Sequence, residues 1–430
     1  MADIAVPVND LQIGHYVKLP LSWKDHPFLF SAFRIKDEEQ LRIIRGIGLR
    51  EFVVDPERST TPIVITPPPA PVVVEPPPPS AEEIAYAQQR EQQLQLRRGI
   101  RTAERAFGNS VTPLRDAMSQ LNMKPDEGLG NVAELVRQAG SFLSQQEGPV
   151  GLHLIRLPAP GDPLLLHSLN VAFISMLVAR EAGWEPLDIE DAGLAGLVHD
   201  IGELKVPSTI LRKRTELTPP EVNYLRMHVR YGFDQLTQLN AFTPRIRKVV
   251  LQHHERLDGS GYPDGIKDEA LDPLAKLVMV IDAYDTSLHP REMTRPVLPN
   301  QVITDLFKRA GKQLDATFIK LLIKVIGIYP PGSLVELSDG SLALVMSSHP
   351  STPLKPCVLP WAKGIVPEGV DLVNLNQDAR TIRRVVDIDE INPQQREFFG
   401  LGNRYCYYFT TSLDEPISAP TTPATASAAK

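Results

Sequence analysis

Through the middle of the chain, apolar residues recur three and four positions apart, the spacing of one face of a helix, and this rhythm holds from about residue 82 to 330. Helix boundaries inside it are marked by chemistry. Thr218-Pro219-Pro220-Glu221 reads as a capping box with proline in the first turn, and Thr243-Pro244 repeats the cap-then-proline signal. Gly183, Gly202 and Gly311 stand where helices should stop. The flanks read differently. Residues 1–65 hold a strand around HYVKLPL, a helix DEEQLRIIRGIG with Asp37 as N-cap, and a strand EFVVD, enough for a small α+β module. Residues 331–412 carry short β segments: SLVEL and SLALVM joined by an Asp339-Gly340 hairpin turn, then TIRRVV and YCYYFT. The expected fold class is therefore mainly α, with a small N-terminal α+β module and a small C-terminal β domain.

Two stretches do not read as packed structure. Residues 66–81, TPPPAPVVVEPPPPSA, are a proline-rich linker, because proline removes donors and favours an extended spacer. Residues 413–430 are small and polar and read as a disordered tail. The charged helix expected from Glu82 to Arg105 is polar all round, so it is either solvated or the contact of a homodimer. Trp23, Phe28 and Phe30 read as part of a small core.

Composition narrows the function. At 430 residues, 42% hydrophobic and 23% charged, the chain is globular and long enough for several units. A net charge of −7 argues against a DNA or RNA binder, which needs a basic footprint. Cys357 and Cys406 are too few for a disulfide framework and point to a reducing compartment. MADIAVPVND lacks the marks of a secretory signal, and LLLHSLNVAFISMLVA is shorter than the roughly 20 apolar residues that span a bilayer. The expectation is a cytoplasmic protein without membrane insertion.

Of ten histidines, five fall in the helical region at His167, His199, His228, His253 and His254, with Asp200 beside His199 and Asp258, Asp282 and Asp285 further on. Imidazole with carboxylate suits iron, manganese or zinc, and no cysteine lies near to make a thiolate site. An isolated histidine in an apolar helix is more often bonded to a backbone carbonyl. Five of them, in HD and HHE pairs, favour a metal. Adjacent helical residues point about 100° apart, so His199 and Asp200 reach one cluster only at a helix end, which Gly202 would supply. A carboxylate shared by two cations suits phosphodiester hydrolysis. QHHERLDGSGYPDGI follows, a glycine-rich loop whose backbone can approach a phosphate or base and whose Tyr262 can stack on a base or a partner. The remaining histidines, His15, His26, His153, His289 and His349, read as surface or packing residues.

These motifs together resemble the HD-GYP family: HDIG from His199, His228 followed by Gly232, HHERLDGSGYP from His253 to Pro263, and VMVIDAYD with Asp282 and Asp285. Residues 1–65 are similar to a small domain that often precedes such units, and PPGSLVELSDG to a tail that often follows them. The resemblance implies a helical HD-superfamily domain that hydrolyses cyclic di-GMP to linear pGpG and/or GMP. It implies metal ligation by His167, His199, Asp200, His228, His253, His254 and Asp282, with His199 and Asp200 at the catalytic centre and Asp200 bridging. The metals would be two divalent ions, iron or manganese. Arg291 would contact a phosphate. Gly261, Tyr262 and Pro263 would approach the substrate or dock a diguanylate cyclase.

The chain departs from that pattern at three places. Glu203 stands where the family has lysine after HDIG, reversing a Coulomb interaction of about 4 kcal/mol at about 4 Å and an effective dielectric of about 20. Either Lys205 turns in to replace the cation or Glu203 itself binds metal. Pro163 stands where three-metal members have glutamate, so two metals are expected. Thr294 occupies the second basic position after Arg291. A catalytically weak or inactive protein that binds cyclic di-GMP or docks a cyclase is the alternative reading, and a phosphohydrolase of another nucleotide is a third.

Overall fold

The structure is a computed structural model that describes residues 3–21, 28–65, 125–146, 150–156, 162–213, 215–239, 242–290 and 296–410, with scattered positions from 80 to 116 and Gly148. The proline-rich linker apart from Ser80, the terminal tail, Trp23, His26, Arg291 and Thr294 lie outside the described residues, as does most of the helix expected from Glu82 to Arg105. The chain divides into two compact units, residues 1–79 and 80–430.

The first unit is a four-stranded antiparallel sheet with one helix. Strands β1 (Ile4–Pro7), β2 (Tyr16–Lys18), β3 (Ala32–Arg34) and β4 (Glu51–Asp55) lie in the order β1-β4-β2-β3, and α1 spans Glu38–Gly46. Strict alternation in β4 turns Phe52 and Val54 inward, where they meet Val6, Val17, Leu41 and Ile44. Asp37 caps α1 as expected, accepting from the Gln40 amide at 2.9 Å. Phe28 packs against this core, whereas Phe30 is 71% exposed, contrary to its assignment to the core. His15 is buried, and its Nδ1 accepts from the Gln12 amide at 3.2 Å.

The second unit opens with α2 (Pro125–Gln145) and β5 (Gly151–Arg156). Eight helices follow: α3 (Pro163–Glu181), α4 (Pro186–Val198), α5 (Ser208–Leu211), α6 (Pro219–Arg226), α7 (His228–Thr237), α8 (Pro244–Gln252), α9 (Pro273–Leu288) and α10 (Pro299–Arg309). Helix α11 (Ala316–Ile326) closes the run. The expected caps at Thr218 and Thr243 are present. α3 is apolar on every side, is buried almost throughout, and forms the centre of the core. It is also long and apolar enough to cross a membrane, with 78% of that stretch buried inside the protein.

Two glycines set the spacing near the histidines. A Cβ on Gly196 would lie 2.9 Å from the Ala172 backbone, so glycine lets α4 close on α3. A Cβ on Gly202 would lie 1.9 Å from the His228 carbonyl oxygen, so this glycine seats the 3-10 turn Ile201–Lys205 against α7. Its expected role as a helix stop is corrected. α4 ends at Val198, and Gly202 is absent from the glycines with positive φ, which include Gly183 and Gly311.

The β segments after residue 331 are β6 (Leu334–Leu337), β7 (Leu342–Ser348), β8 (Cys357–Pro360), β9 (Val373–Asn374), β10 (Ile382–Val385) and β11 (Tyr405–Thr410), with α12 at Pro393–Phe399. The hairpin turn at Asp339-Gly340 joins β6 and β7 as expected, with Gly340 at φ 83°. The boundary expected at 331 is not a break in packing. The main path of the sheet is β10-β6-β7-β5-β11, so β5, from ahead of the helices, lies between β7 and β11. Tyr407 and Phe409 belong to the same buried core as Phe173 of α3 and Met279 of α9.

Candidate metal centre

Seven side chains from five places in the fold converge on one point. His167 comes from α3, His199 caps the C-terminus of α4, and Asp200 follows at the start of the 3-10 turn. His228 opens α7, His253 caps α8, His254 follows it, and Asp282 lies on α9. Their ligand atoms form two groups: His167, His199 and Asp282; and Asp200, His228, His253 and His254. Within each group these atoms lie within 4.8 Å of one another. All seven ligands expected from the sequence are thus brought together.

Asp200 joins the groups. Its Oδ1 lies 3.2 Å from His228 Nε2 and 3.3 Å from His253 Nε2, and its Oδ2 lies 3.5 Å from His199 Nε2 and 3.7 Å from His167 Nε2. Asp282 repeats the pattern, with Oδ1 at 3.4 Å from His167 Nε2 and Oδ2 at 3.8 Å from His254 Nδ1.

Backbone carbonyls fix the imidazoles. Nδ1 of His199 donates to the Gly196 carbonyl at 2.7 Å, Nδ1 of His228 to Leu225 at 2.7 Å, and Nδ1 of His253 to Val250 at 2.9 Å. His167 Nδ1 donates instead to Asp285 Oδ2 at 2.7 Å. A neutral ring bonded through Nδ1–H presents a bare lone pair at Nε2. Yet Nε2 of His167 and His199 are 3.1 Å apart, and Nε2 of His228 and His253 are 3.3 Å apart. Asp200 Oδ1 is buried with no hydrogen-bond partner among the described residues. Lone pairs and carboxylate oxygens facing each other in a buried site require positive charge between them, and divalent cations fit this donor set.

The titration behaviour agrees. Burial lowers the His199 pKa to about 4, and burial with the neighbouring His253 holds His254 well below its ordinary value, so both rings are neutral donors near pH 7. Burial also opposes charge on His167, but hydrogen bonds to Asp282 and Asp285 outweigh it and raise its pKa. Burial opposes charge on His228 too, but the adjacent Asp200 carboxylate outweighs it and raises its pKa. Burial opposes ionisation of Asp200 and Asp282 too, yet the surrounding imidazoles hold both carboxyls far below the usual range.

A second layer stands behind His167; the sequence singled out its Asp285 without a role and missed Asn170. Asp285 is fully buried and also accepts from Asn170 Nδ2 at 2.7 Å and His289 Nδ1 at 3.0 Å. His289 is therefore part of the centre's support, and not merely a packing residue. Asn170 lies three residues after His167 and Asp285 three after Asp282; that spacing places each on its ligand's helix face and was the available signal. Asp258, by contrast, accepts from the amide and hydroxyl of Ser260 in a surface turn.

The loop after His254 is built onto the site. Glu255 is fully buried, and its Oε1 accepts from the Asp264 and Gly265 amides at 2.8 and 3.0 Å. A Cβ on Gly261 would lie 2.3 Å from Glu255 Cα, so only glycine passes there. Tyr262, joined to Pro263 by a cis peptide bond, lies over His254 with ring centroids 4.8 Å apart, and Arg226 covers the tyrosine ring at 5.0 Å.

Beside the ligands lies a cavity of about 230 Å³. Asp200, His228 and Asp282 border it, and Tyr262 does so from the loop, while Gly261 and Pro263 are not among its lining. Glu203 is 8% exposed and lines the cavity; Lys205 is exposed and does not, so it does not turn in as one reading of the sequence had it. Pro163, where a third-metal glutamate was sought, opens α3 at the rim. Arg404, unremarked in the sequence, completes the wall from the residue before β11.

The HD domain family matches residues 162–318, and a domain of unknown function, DUF3391, matches residues 3–130. The chain is 29% identical over 393 residues, 88% of its length and 91% of the relative's, to cyclic di-GMP phosphodiesterase PA4108 of Pseudomonas aeruginosa. It is 30% identical over 156 residues, 36% of its length and 41% of the relative's, to the cyclic di-GMP phosphodiesterase response regulator RpfG of Xanthomonas campestris pv. campestris. Among solved structures, Bd1817, a HDG"Y"P protein from Bdellovibrio bacteriovorus, covers 75% of this chain and 98% of its own at a TM-score of 0.42 and 17% identity.

Proposed function

We propose that this chain, which belongs to the HD-GYP family of HD-domain proteins, is a metal-dependent phosphodiesterase that opens cyclic di-GMP to linear pGpG and, by a second cut, GMP. The observation that carries this reading is the position of Asp200, one oxygen toward each of two ligand groups. The names of the relatives supply the substrate.

His167, His199, Asp282 and Asp200 would hold one divalent ion, and Asp200, His228, His253 and His254 the other. When bound, such a pair supplies Lewis acidity, activating water near neutral pH and stabilising charge on the attacked phosphate. The donor set of imidazole and carboxylate, without thiolate, suits iron, manganese or zinc, and the family resemblance favours iron or manganese among them. Backbone carbonyls and Asp285 orient the rings, so little rearrangement is needed at loading. Thr286 donates to Asp282 Oδ1 at 2.9 Å and holds that carboxylate. On this reading the Gly261-Tyr262-Pro263 tip meets the substrate or docks a diguanylate cyclase. Two buried free thiols, Cys357 and Cys406, favour the reducing cytoplasm as the place of action.

Glu203 favours a second reading, a protein that binds the nucleotide and turns it over weakly, because a buried carboxylate lines the cavity where an anionic substrate must enter. Metal analysis of the purified chain, coupled to product detection from cyclic di-GMP, separates the two. Two ions per chain with pGpG or GMP formed supports the enzyme. A loaded chain that binds cyclic di-GMP without product supports the binder, and a chain that takes up no divalent metal overturns both.

A further inference from the structure

We infer that Arg404, delivered by the C-terminal β segment, is the cation that receives a substrate phosphate in this site; the inference rests on the phosphodiesterase reading above. A cyclic dinucleotide carries two negative charges into a cavity whose walls already hold Asp200, Asp282 and Glu203. Two divalent ions answer the aspartates. They leave the second phosphate, which calls for a cation among the side chains that line the cavity. Among the described residues that line this cavity, Arg404 is the one lysine or arginine. A guanidinium also matches a phosphate in shape, offering parallel N–H donors to two oxygens.

The fold holds Arg404 in place through the metal centre's own support. Asn170, which donates to Asp285 behind His167, also donates to the Tyr405 carbonyl at 3.2 Å and accepts from the Tyr407 amide at 3.0 Å. The His289 and Tyr405 rings meet edge to face at 4.7 Å. The residue next to Arg404 is thus tied to two side chains that hold Asp285. Arg404 Nη2 donates to the Pro290 carbonyl at 3.2 Å, which anchors the side chain just beyond α9. Arg404 is therefore a specificity and positioning residue that no local motif around the histidines would disclose.

The test compares wild type with Arg404→Ala, Arg404→Lys and the double variant Arg404→Ala/Glu203→Lys, all as full-length chains with equal metal content. Loss of one charge-assisted contact should lower kcat/KM for cyclic di-GMP about 10- to 100-fold in Arg404→Ala. Arg404→Lys should retain part of the activity. Glu203→Lys, restoring a cation on the same cavity, should recover much of what Arg404→Ala loses, which a merely structural arginine would not allow. Calorimetric titration of metal-stripped protein with cyclic di-GMP gives an independent readout and should weaken in Arg404→Ala by a similar factor. Where Arg404→Ala does not fold, Arg404→Gln replaces it. Wild-type protein that binds or hydrolyses cyclic di-GMP, with the Arg404 variant unchanged, overturns this inference alone. Wild-type protein that does neither overturns the phosphodiesterase reading and this one with it.

Discussion

Asp285 sits 2.7 Å from Nδ1 of His167 and decides which face of that imidazole looks into the metal centre. The other three rings with this arrangement lean on backbone carbonyls, which no substitution removes; His167 leans on a side chain. Asp285→Asn should therefore weaken metal binding at the His167 half by about 10- to 100-fold. Competition with a chelator measures it, and unaltered affinity would show that helix packing alone orients His167.

Asp200 belongs to both halves, so its replacement should be felt in both. Asp200→Ala is expected to reduce bound metal from two ions toward none and to lower turnover at least about 100-fold. Elemental analysis of the purified variant checks the first part. Retention of both ions would mean that the two groups do not share a bridge.

Metal uptake should depend on pH in a defined direction. His167 and His228 hold their protons above the ordinary imidazole range when the ligands face only carboxylates, because Asp282, Asp285 and Asp200 overcome the cost of burial. A protonated ring cannot ligate, so loading must expel protons and affinity must go on rising as pH climbs past the ordinary imidazole value of 6.5. His199, lowered to about 4, is already neutral and contributes nothing to this slope. Titration in two buffers of different ionisation enthalpy counts the protons released, and equal heats in both would contradict the assignment.

Glu221 gives a stability test away from the chemistry. Its carboxylate caps α6, accepting from the Thr218 amide, and pairs with Lys213, which brings its pKa from 4.5 to about 2. The folded state thus binds this proton less readily than the unfolded chain. The contribution is complete above the ordinary value of 4.5 and fades as pH falls toward about 2. Glu221→Gln should melt below wild type at neutral pH, and the gap should narrow as the solution is acidified through that window. A constant gap would assign the loss to something other than charge.

At Gly202 the expected effect is steric. An alanine Cβ would lie 1.9 Å from the His228 carbonyl, so the 3-10 turn and α7 must part. A cost of about 1–3 kcal/mol in unfolding free energy is typical of such overpacking. Because His228 opens α7, metal affinity should fall as well. Chemical denaturation and chelator competition on the same variant test whether the two losses travel together.

The candidate ligands were legible because the HD and HHE pairs point to a metal and the family resemblance adds His167, His228 and Asp282, and the caps at Asp37, Thr218 and Thr243 were legible because capping is local. What was not legible depends on partners distant in the chain. β5 has too few residues to announce itself amid helical spacing, and its neighbours Ser347, Ser348 and Tyr405–Thr410 come much later. Arg404 has no motif around it and acquires meaning only when β11 docks on Asn170. Gly202 was recognised as special for the wrong reason: the conformation at a helix end mattered less than the space between a turn and a neighbouring helix. Phe30 shows the converse, an aromatic whose type suggested burial but whose neighbours provide none.

Because β5 is hemmed between β7 and β11, the order of synthesis matters. As the chain leaves the ribosome, the histidine-bearing helices emerge long before the strand that seals their edge, and Asn170 waits for Tyr407, 237 residues later. A nascent or prematurely terminated product would hold the imidazoles with a loosened backing and expose a bare ribbon edge to other chains. Completion of the backing behind the histidines is in this sense postponed until β11 is made, and a stop codon between α11 and β11 would remove far more than an appendage.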